Sequence, residues 1–536
     1  MKSSSTKKSL ILGGLVGTSG FLIAKAIGLI YSIPFSSILG SDAYMSYYGT
    51  AYRIYSYILN VFTAGFPFAI ATLVAKYSTL ENWKTVLQVR RLSLLFMGLV
   101  GFLGMIIMMM LSGLLAMLMT DTADGRHVMT IVLCILAVAV FLVPILSSYR
   151  GFIQGRREME EYAYSQAFEQ VFRVGFLLSV ACLLVYGFHT DRVFALYGAV
   201  LSTSVAAVAG IIQISRFSKK QERILAKQAK HQKMKTISAG PLFRELVLLA
   251  LPYMGSAILG YSDDIYNSVL LPIGLRYSSY TPDQINTVMS AANYVGTKLT
   301  AIPMILAPGF TAAIIPHLSA SLLEKKIRKI RKDVRECINI VLYLGMFLSF
   351  AIMFYAGPLF YSLFYSSDLP LSTEIIRWIS LEGLMGTVTP VVSNIMMALS
   401  LQKSLLKRLA IGTVMKGVLL VPFTIWFGFP GTVMATMISY GYILVFNMLE
   451  LSARFGVSLR SPLQVIVKTM IALLFMGVAA WLLARLGLGS TAGSRMACLA
   501  GMLASGLLSS VVFAGISLIL QLPQQLFHFR FRTAGH

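Results

Sequence analysis

Predominantly apolar stretches long enough to cross a bilayer recur along this chain from Leu10 to Leu520. A run of about 20 apolar residues is what an α-helix needs to cross the roughly 30 Å hydrocarbon core of a bilayer. No stretch alternates apolar and polar positions long enough to read as a half-buried strand. The pattern predicts fourteen membrane-spanning helices, at 10–39, 47–76, 92–118, 128–149, 162–187, 193–215, 246–272, 286–322, 337–365, 373–401, 408–428, 431–453, 463–487 and 496–520. The fold class is therefore an all-α polytopic membrane protein.

The longest polar stretch, from Arg216 to Arg244, is rich in Lys and Gln and separates six predicted spans from eight. Comparing the two sides gives a period near 245. Gly65-Phe66 matches Gly309-Phe310, Pro144-x-x-Ser147 matches Pro390-x-x-Ser393, and Arg53 matches Lys298. Three matches at one offset and in one order predict two homologous six-helix lobes, and an even helix number makes them parallel repeats. The expected organisation is an N-terminal lobe over 1–215, a basic cytoplasmic linker over 216–245, a C-terminal lobe over 246–455, a further helix pair over 456–521 and a tail over 522–536. Pro and Gly cluster in helices 1, 2, 7 and 8 (Gly28, Pro34, Gly65, Pro67, Pro252, Gly255, Gly260, Pro303, Pro308, Gly309 and Pro316). These four helices are the expected moving parts, with ordinary packing kinks as the alternative.

Composition agrees with the pattern: of 536 residues 57% are hydrophobic and 12% charged, and the mean hydropathy is +0.76. The net charge of +24 invites a nucleic-acid reading, but its distribution excludes one. With the N-terminus in the cytoplasm, 34 of the 45 Lys and Arg fall in cytoplasmic loops and only Arg126, Arg192, Arg276, Arg485 and Arg495 fall outside. Basic residues confined to alternate loops are an orientation signal. Both termini are expected in the cytoplasm. The first segment continues through Pro34 to Leu39 without a cleavage pattern, so it reads as a helix and not as a signal peptide. Cys134, Cys182, Cys337 and Cys498 lie in or beside apolar segments and read as small packing residues, not as disulfides or metal ligands. The six histidines are scattered without ligand spacing, and no phosphate-binding loop occurs. Neither a cofactor nor an enzymatic activity is expected.

Six cations remain, within the spans: Lys25, Arg53, Arg173, Lys298, Arg377 and Lys416. A Lys or Arg at bilayer depth costs about 2.5–3.5 kcal/mol even on the lenient insertion scale, unless it faces a wet cavity or a partner. Glu169 and Arg173 stand four residues apart and read as an intrahelical ion pair. Arg377 lies near the outer end of its helix and can snorkel. Lys416 is ambiguous between cavity and packing. Lys25, Arg53 and Lys298 have two readings. Either each pairs with an acid, for which Asp42, Asp263, Asp264 and Glu382 are available, or they line a cationic cavity for an anionic substrate. The repeat-related placement of Arg53 and Lys298 favours the cavity, where a phosphate or diphosphate would make charge-assisted bonds. Asp263 and Asp264 are also candidates for a counter-ion or coupling-ion site, although neighbours on a helix point about 100° apart.

Helices 4 and 5 carry Pro144-Ile-Leu-Ser-Ser-Tyr-Arg150-Gly-Phe-Ile-Gln154-Gly-Arg156 and then Ser165-Gln166-Ala-Phe-Glu169-Gln-Val-Phe-Arg173-Val. With the first-helix run Gly20-Phe-Leu-Ile-Ala-Lys25, these segments resemble the SpoVB and YtgP branch of the multidrug/oligosaccharidyl-lipid/polysaccharide (MOP) exporter superfamily, which includes the MurJ-type lipid II flippases. The resemblance implies a V-shaped, MATE-like transporter that moves undecaprenyl-diphosphate-linked peptidoglycan precursor from the inner to the outer leaflet of the plasma membrane of a bacterial cell by alternating access. It also implies substrate-binding cations in helices 1, 2 and 8, at the matching positions Lys25, Arg53 and Lys298, and a lipid-tail groove on helices 13 and 14. Tyr31 and Ser32 stand where Gram-negative MurJ-type proteins carry a further arginine, which leaves the number of phosphate-binding cations open. Implied partners are the lipid-linked oligosaccharide, membrane lipids, and a monovalent ion or the membrane potential as energy source. The alternatives are a flippase for another polyprenyl-linked glycan (capsule, teichoic acid or sporulation-related), a cation-coupled drug exporter, and a non-transporting scaffold for cell-wall synthesis proteins.

Overall fold

The computed structural model describes residues 27–156, 158–232, 234–305, 314–315, 318, 321–322 and 324–527. Lys25 and the Gly309-Phe310 part of the repeat lie outside them. The described residues hold helices and no strand. The first half comprises α1 (Ile27–Leu39), α2 (Asp42–Thr79), α3 (Trp83–Met119), α4 (Ala123–Gly155), α5 (Met159–Gly187), α6 (Arg192–Lys230) and α7 (Ala239–Gly260). It is followed by the short α8 (Ser262–Ile265), α9 (Leu271–Arg276), α10 (Pro282–Met289) and α11 (Thr297–Met304). The second half continues with α12 (Ile327–Phe354), α13 (Ala356–Leu363), α14 (Leu369–Ala398), α15 (Gln402–Phe427), α16 (Phe429–Phe455), α17 (Arg460–Arg485), α18 (Arg495–Ile519) and α19 (Leu522–Phe527). Twelve of the described helices are long and apolar enough to cross a membrane.

The short loops begin their helices with side-chain caps, which satisfy backbone N–H groups that have no intrahelical partner. Ser41 accepts from Tyr44 N, Asn82 from Thr85 N, Thr122 from Gly125 N and Asp368 from Leu371 N. Thr281 and Gln284 close a reciprocal capping box at α10, with Pro282 in the first turn where its missing N–H costs nothing.

Three expected elements differ from what the sequence predicts. The span expected at 246–272 is interrupted. Here α7 ends at Gly260, Tyr261 is non-helical at φ −102° and ψ 8°, and the chain resumes as α8, a π-helical turn at Tyr266–Leu270, and α9. Ser262, Asp263 and Asp264 follow Gly260, and such short polar side chains compete for backbone groups; Ser262 Oγ donates to Leu259 O at 2.8 Å. The span expected at 286–322 likewise contains a π-helical stretch, Ser290–Gly296, between α10 and α11. Finally, most of the expected linker is helix, since α6 runs to Lys230 and α7 begins at Ala239. α6 continues to Lys230, because Lys, Gln, Ala and Glu favour helix and because Ser218, Leu225 and Ala229 are buried.

The chain divides into two compact units, Met1–Ile273 and Gly274–His536. The division falls within α9 and not within 216–245, so α7 belongs with the first unit. Gly65 is one reason. A Cβ there would lie 2.7 Å from Ala250 O, so only glycine lets α2 approach the α7 backbone this closely. In the first unit α4 packs on α2, α3 and α6, and α5 packs on α6. The second unit repeats this scheme: α14 packs on α11, α12 and α16, and α15 packs on α16. Of the offset matches, Arg53 with Lys298 and Pro144 with Pro390 thus fall on helices that hold equivalent places in the two units. α17 packs on α12 and α18 on α13, contributing Val465, Leu473, Met476 and Phe513 to the apolar core of the second unit. Their other sides expose Leu474, Val478, Trp481, Leu507 and Val511, which in a bilayer face lipid. Of the cysteines, Cys337 and Cys498 are buried as packing residues should be, whereas Cys182 is exposed.

Candidate functional site

One face of α2 carries Thr50, Arg53 and Tyr57, at helical spacing, and runs along the interrupted region after α7. Ser268 Oγ donates to Thr50 O at 3.2 Å, and Tyr57 OH donates to Ile258 O at 3.5 Å. Between them Arg53 Nε stands 3.3 Å from Asp264 Oδ1, while Nη2 donates to Asp263 O at 3.5 Å. The Arg53 side chain is 12% exposed and that of Asp264 21%. Of the two readings open for Arg53, the structure holds the acid-paired one. A guanidinium has five N–H donors, so these two contacts leave it capacity for a further acceptor.

The opposite face of α2 presents Tyr48, Tyr52 and Tyr55. Tyr48 and Tyr52 stack at 5.4 Å between ring centroids, Tyr55 packs on Tyr52 at 5.3 Å, and the Tyr31 and Tyr48 hydroxyls are 3.4 Å apart. Arg173 of α5 donates to Tyr52 OH at 2.8 Å and to Glu169. Arg150 of α4 donates to the other carboxylate oxygen of Glu169 at 2.9 Å, and to Ser165 O at 2.9 Å. The expected Glu169–Arg173 ion pair is therefore one arm of a buried triad that carries two guanidiniums on one carboxylate. The hydrophobic pattern puts Arg150 just past the end of the span predicted at 128–149, whereas α4 continues through it to Gly155. Its place in the Pro144–Arg156 motif was the available signal, but no spacing rule links it to a carboxylate on the next helix.

The remaining candidates lie elsewhere. Asp42 is the first residue of α2 and is buried. Lys298 is half-buried at the second position of α11, directly after the buried π-helical stretch Ser290–Gly296. Such π segments often mark functional sites. Lys416 in α15 is only 1% exposed, Glu382 in α14 is half-buried, and Arg377 is exposed.

This constellation sits in a chain whose residues 10–322 match the family of polysaccharide biosynthesis proteins. The chain belongs to that family. Among its curated relatives, the lipid II flippase MurJ of Bacillus subtilis (strain 168) is 27% identical over 485 residues, covering 88% of this chain and 87% of the flippase. The stage V sporulation protein B of the same organism is 21% identical over 345 residues, 63% of this chain and 64% of that protein. Among solved structures, the inward closed conformation of the lipid II flippase MurJ aligns with a TM-score of 0.66 at 14% identity, over 96% of this chain and 100% of that one. An inward-facing MATE family multidrug transporter of the MOP superfamily aligns with a TM-score of 0.64 at 15% identity, over 82% and 98%. This family member therefore has the fold shared by MurJ and MATE transporters, as the sequence predicts, and is a multi-pass membrane protein.

Proposed function

We propose that this protein moves lipid II, the undecaprenyl-diphosphate-linked peptidoglycan precursor, from the inner to the outer leaflet of the bacterial plasma membrane. The observation that carries the proposal is coverage. The MATE transporter leaves 18% of this chain unmatched, whereas the MurJ structure leaves 4%. The difference is about the share occupied by α17, α18 and the tail. On a drug-exporter reading, that share of the chain is left without a matched counterpart.

In this reading Lys25, Arg53 and Lys298 meet the diphosphate during its passage, and Arg53 exchanges Asp264 for a phosphate oxygen as the substrate arrives. A phosphate offers stronger charge-assisted bonds than a carboxylate held off ideal geometry. Asp263, Asp264 and Glu382 supply counter-charge when the substrate is absent. An inside-negative potential drives an anion outward by about 2.3 kcal/mol per charge per 100 mV, so the transported charge itself biases the direction. The termini and the 216–230 segment lie on the cytoplasmic side.

The proposal is tested in cells lacking every other lipid II flippase. Depleting this protein traps lipid II in the inner leaflet, which a membrane-impermeant headgroup probe reads as lost labelling. Undiminished labelling contradicts the assignment. A second reading, transport of a different polyprenyl-linked glycan, is favoured by the match to the family of polysaccharide biosynthesis proteins; retention of lipid II labelling together with loss of another lipid-linked glycan from the outer leaflet identifies it.

A further inference from the structure

α6 is a single helix of 39 residues. At 1.5 Å per residue it is about 58 Å long, nearly twice the thickness of the hydrocarbon core. Its apolar part ends at Ser215. Beyond that point Arg216, Lys220, Arg223, Lys227 and Lys230 follow one another at i, i+4, i+7, i+11 and i+14, so they fall on one side of the helix. Lys219 flanks them, and all six are exposed.

The opposite side is anchored. Ser218, Leu225 and Ala229 are buried, and Leu225 joins the apolar core that includes Val86 and Val89 of α3. Arg90 donates to Ser218 Oγ at 3.0 Å and pairs with Glu222, which turns the one acid of this segment inward. Gln221 donates to Glu158 at 3.2 Å, and Gln232 donates to Asn82 at 2.7 Å. The segment is thus a fixed ridge of six cations with no acid among them, a more specific object than a solvated basic loop.

Its direction identifies the partner. The ridge continues the axis of a membrane-crossing helix, and such helices lie on average about 20° from the bilayer normal. Lys230 stands about 21 Å further along the axis than Arg216, beyond the roughly 8 Å Debye length at physiological ionic strength. Anionic lipid headgroups meet only the Arg216 end. We propose that the ridge docks an acidic segment of a cytoplasmic protein, one whose carboxylates repeat along a single helical side. The proposal rests on the cytoplasmic orientation adopted above, but not on the identity of the transported lipid.

The test uses the full chain in nanodiscs of zwitterionic phosphatidylcholine. The probe is a fluorescent helical peptide with Glu at i, i+4, i+7, i+11 and i+14, against a scrambled peptide of identical composition. Anisotropy should show salt-sensitive binding that prefers the striped peptide. It should weaken about tenfold or more on combining Arg223→Gln, Lys227→Gln and Lys230→Gln, while reconstituted lipid II transport stays at the level of the unaltered protein. Equal binding of the scrambled peptide overturns the proposal, as does binding unchanged by the triple substitution. A third overturning result is loss on Arg216→Gln/Lys220→Gln alone together with competition by phosphatidylglycerol vesicles, which assigns the ridge to lipid. Failure of lipid II transport in every variant and in the unaltered protein bears on the transport reading and leaves the peptide result standing.

Discussion

Arg53 is tied to Asp264 in a region 12% and 21% exposed, and that single contact separates two roles. If Arg53 existed only to neutralise Asp264, removing both charges would restore function. If Arg53 also meets the diphosphate, Arg53→Ala abolishes transport, Asp264→Asn retains it, and Arg53→Ala/Asp264→Ala stays inactive. Transport assays on the three variants, each checked for a monodisperse folded species, separate the roles. The Arg150–Glu169–Arg173 triad makes a different prediction. Glu169 is 8% exposed, and Glu169→Gln leaves two buried guanidiniums without their counter-charge. Breaking a buried pair in this way costs about 3–5 kcal/mol. Thermal unfolding in detergent should show a large drop for Glu169→Gln; an unshifted transition would mean that water or lipid phosphate already compensates the arginines.

At the level of elements, the positions of the helices are legible in the hydrophobic pattern, and their interruptions are not. Length and apolarity dictate a span whatever its neighbours do. The break at Tyr261 depends on how Ser262, Asp263 and Asp264 compete for backbone groups, and nothing in the hydrophobic pattern marks the π-helical Ser290–Gly296. The polar extension of α6 escapes the pattern for a related reason: a Lys- and Gln-rich stretch reads as a linker until Ser218, Leu225 and Ala229 are seen to be buried. The pairing of Glu169 with Arg173 was readable because both sit on one helix, whereas Arg150 and Tyr52 join them only through tertiary packing. Close helix contact gives the test at this scale. Gly65→Ala places a methyl 2.7 Å from Ala250 O and 2.9 Å from Met254 Cγ, and overpacking of this kind costs about 1–3 kcal/mol. A lowered unfolding temperature checks it, and an unchanged one would show that α2 and α7 separate without cost.

For the whole molecule, the distribution of basic residues predicts an orientation. In a variant without the native cysteines, Lys219→Cys should react with an impermeant maleimide only after the cell is opened, and Ser490→Cys should react in intact cells. The opposite pattern would invert the topology and with it the direction of transport. The helix pairings repeat between residues 42–230 and 282–455, and the extra pair α17–α18 accompanies the near-complete match to the MurJ structure. These features support the proposed lipid-linked substrate, and in that proposal the cations at Arg53 and Lys298 meet its diphosphate. The most direct measurement uses purified protein in liposomes loaded with labelled lipid II, reading its appearance in the opposite leaflet with an impermeant headgroup reagent. The account predicts transport by the unaltered protein and loss of it in Arg53→Ala/Lys298→Ala. Full transport by that double variant would contradict the claim that these cations carry the diphosphate.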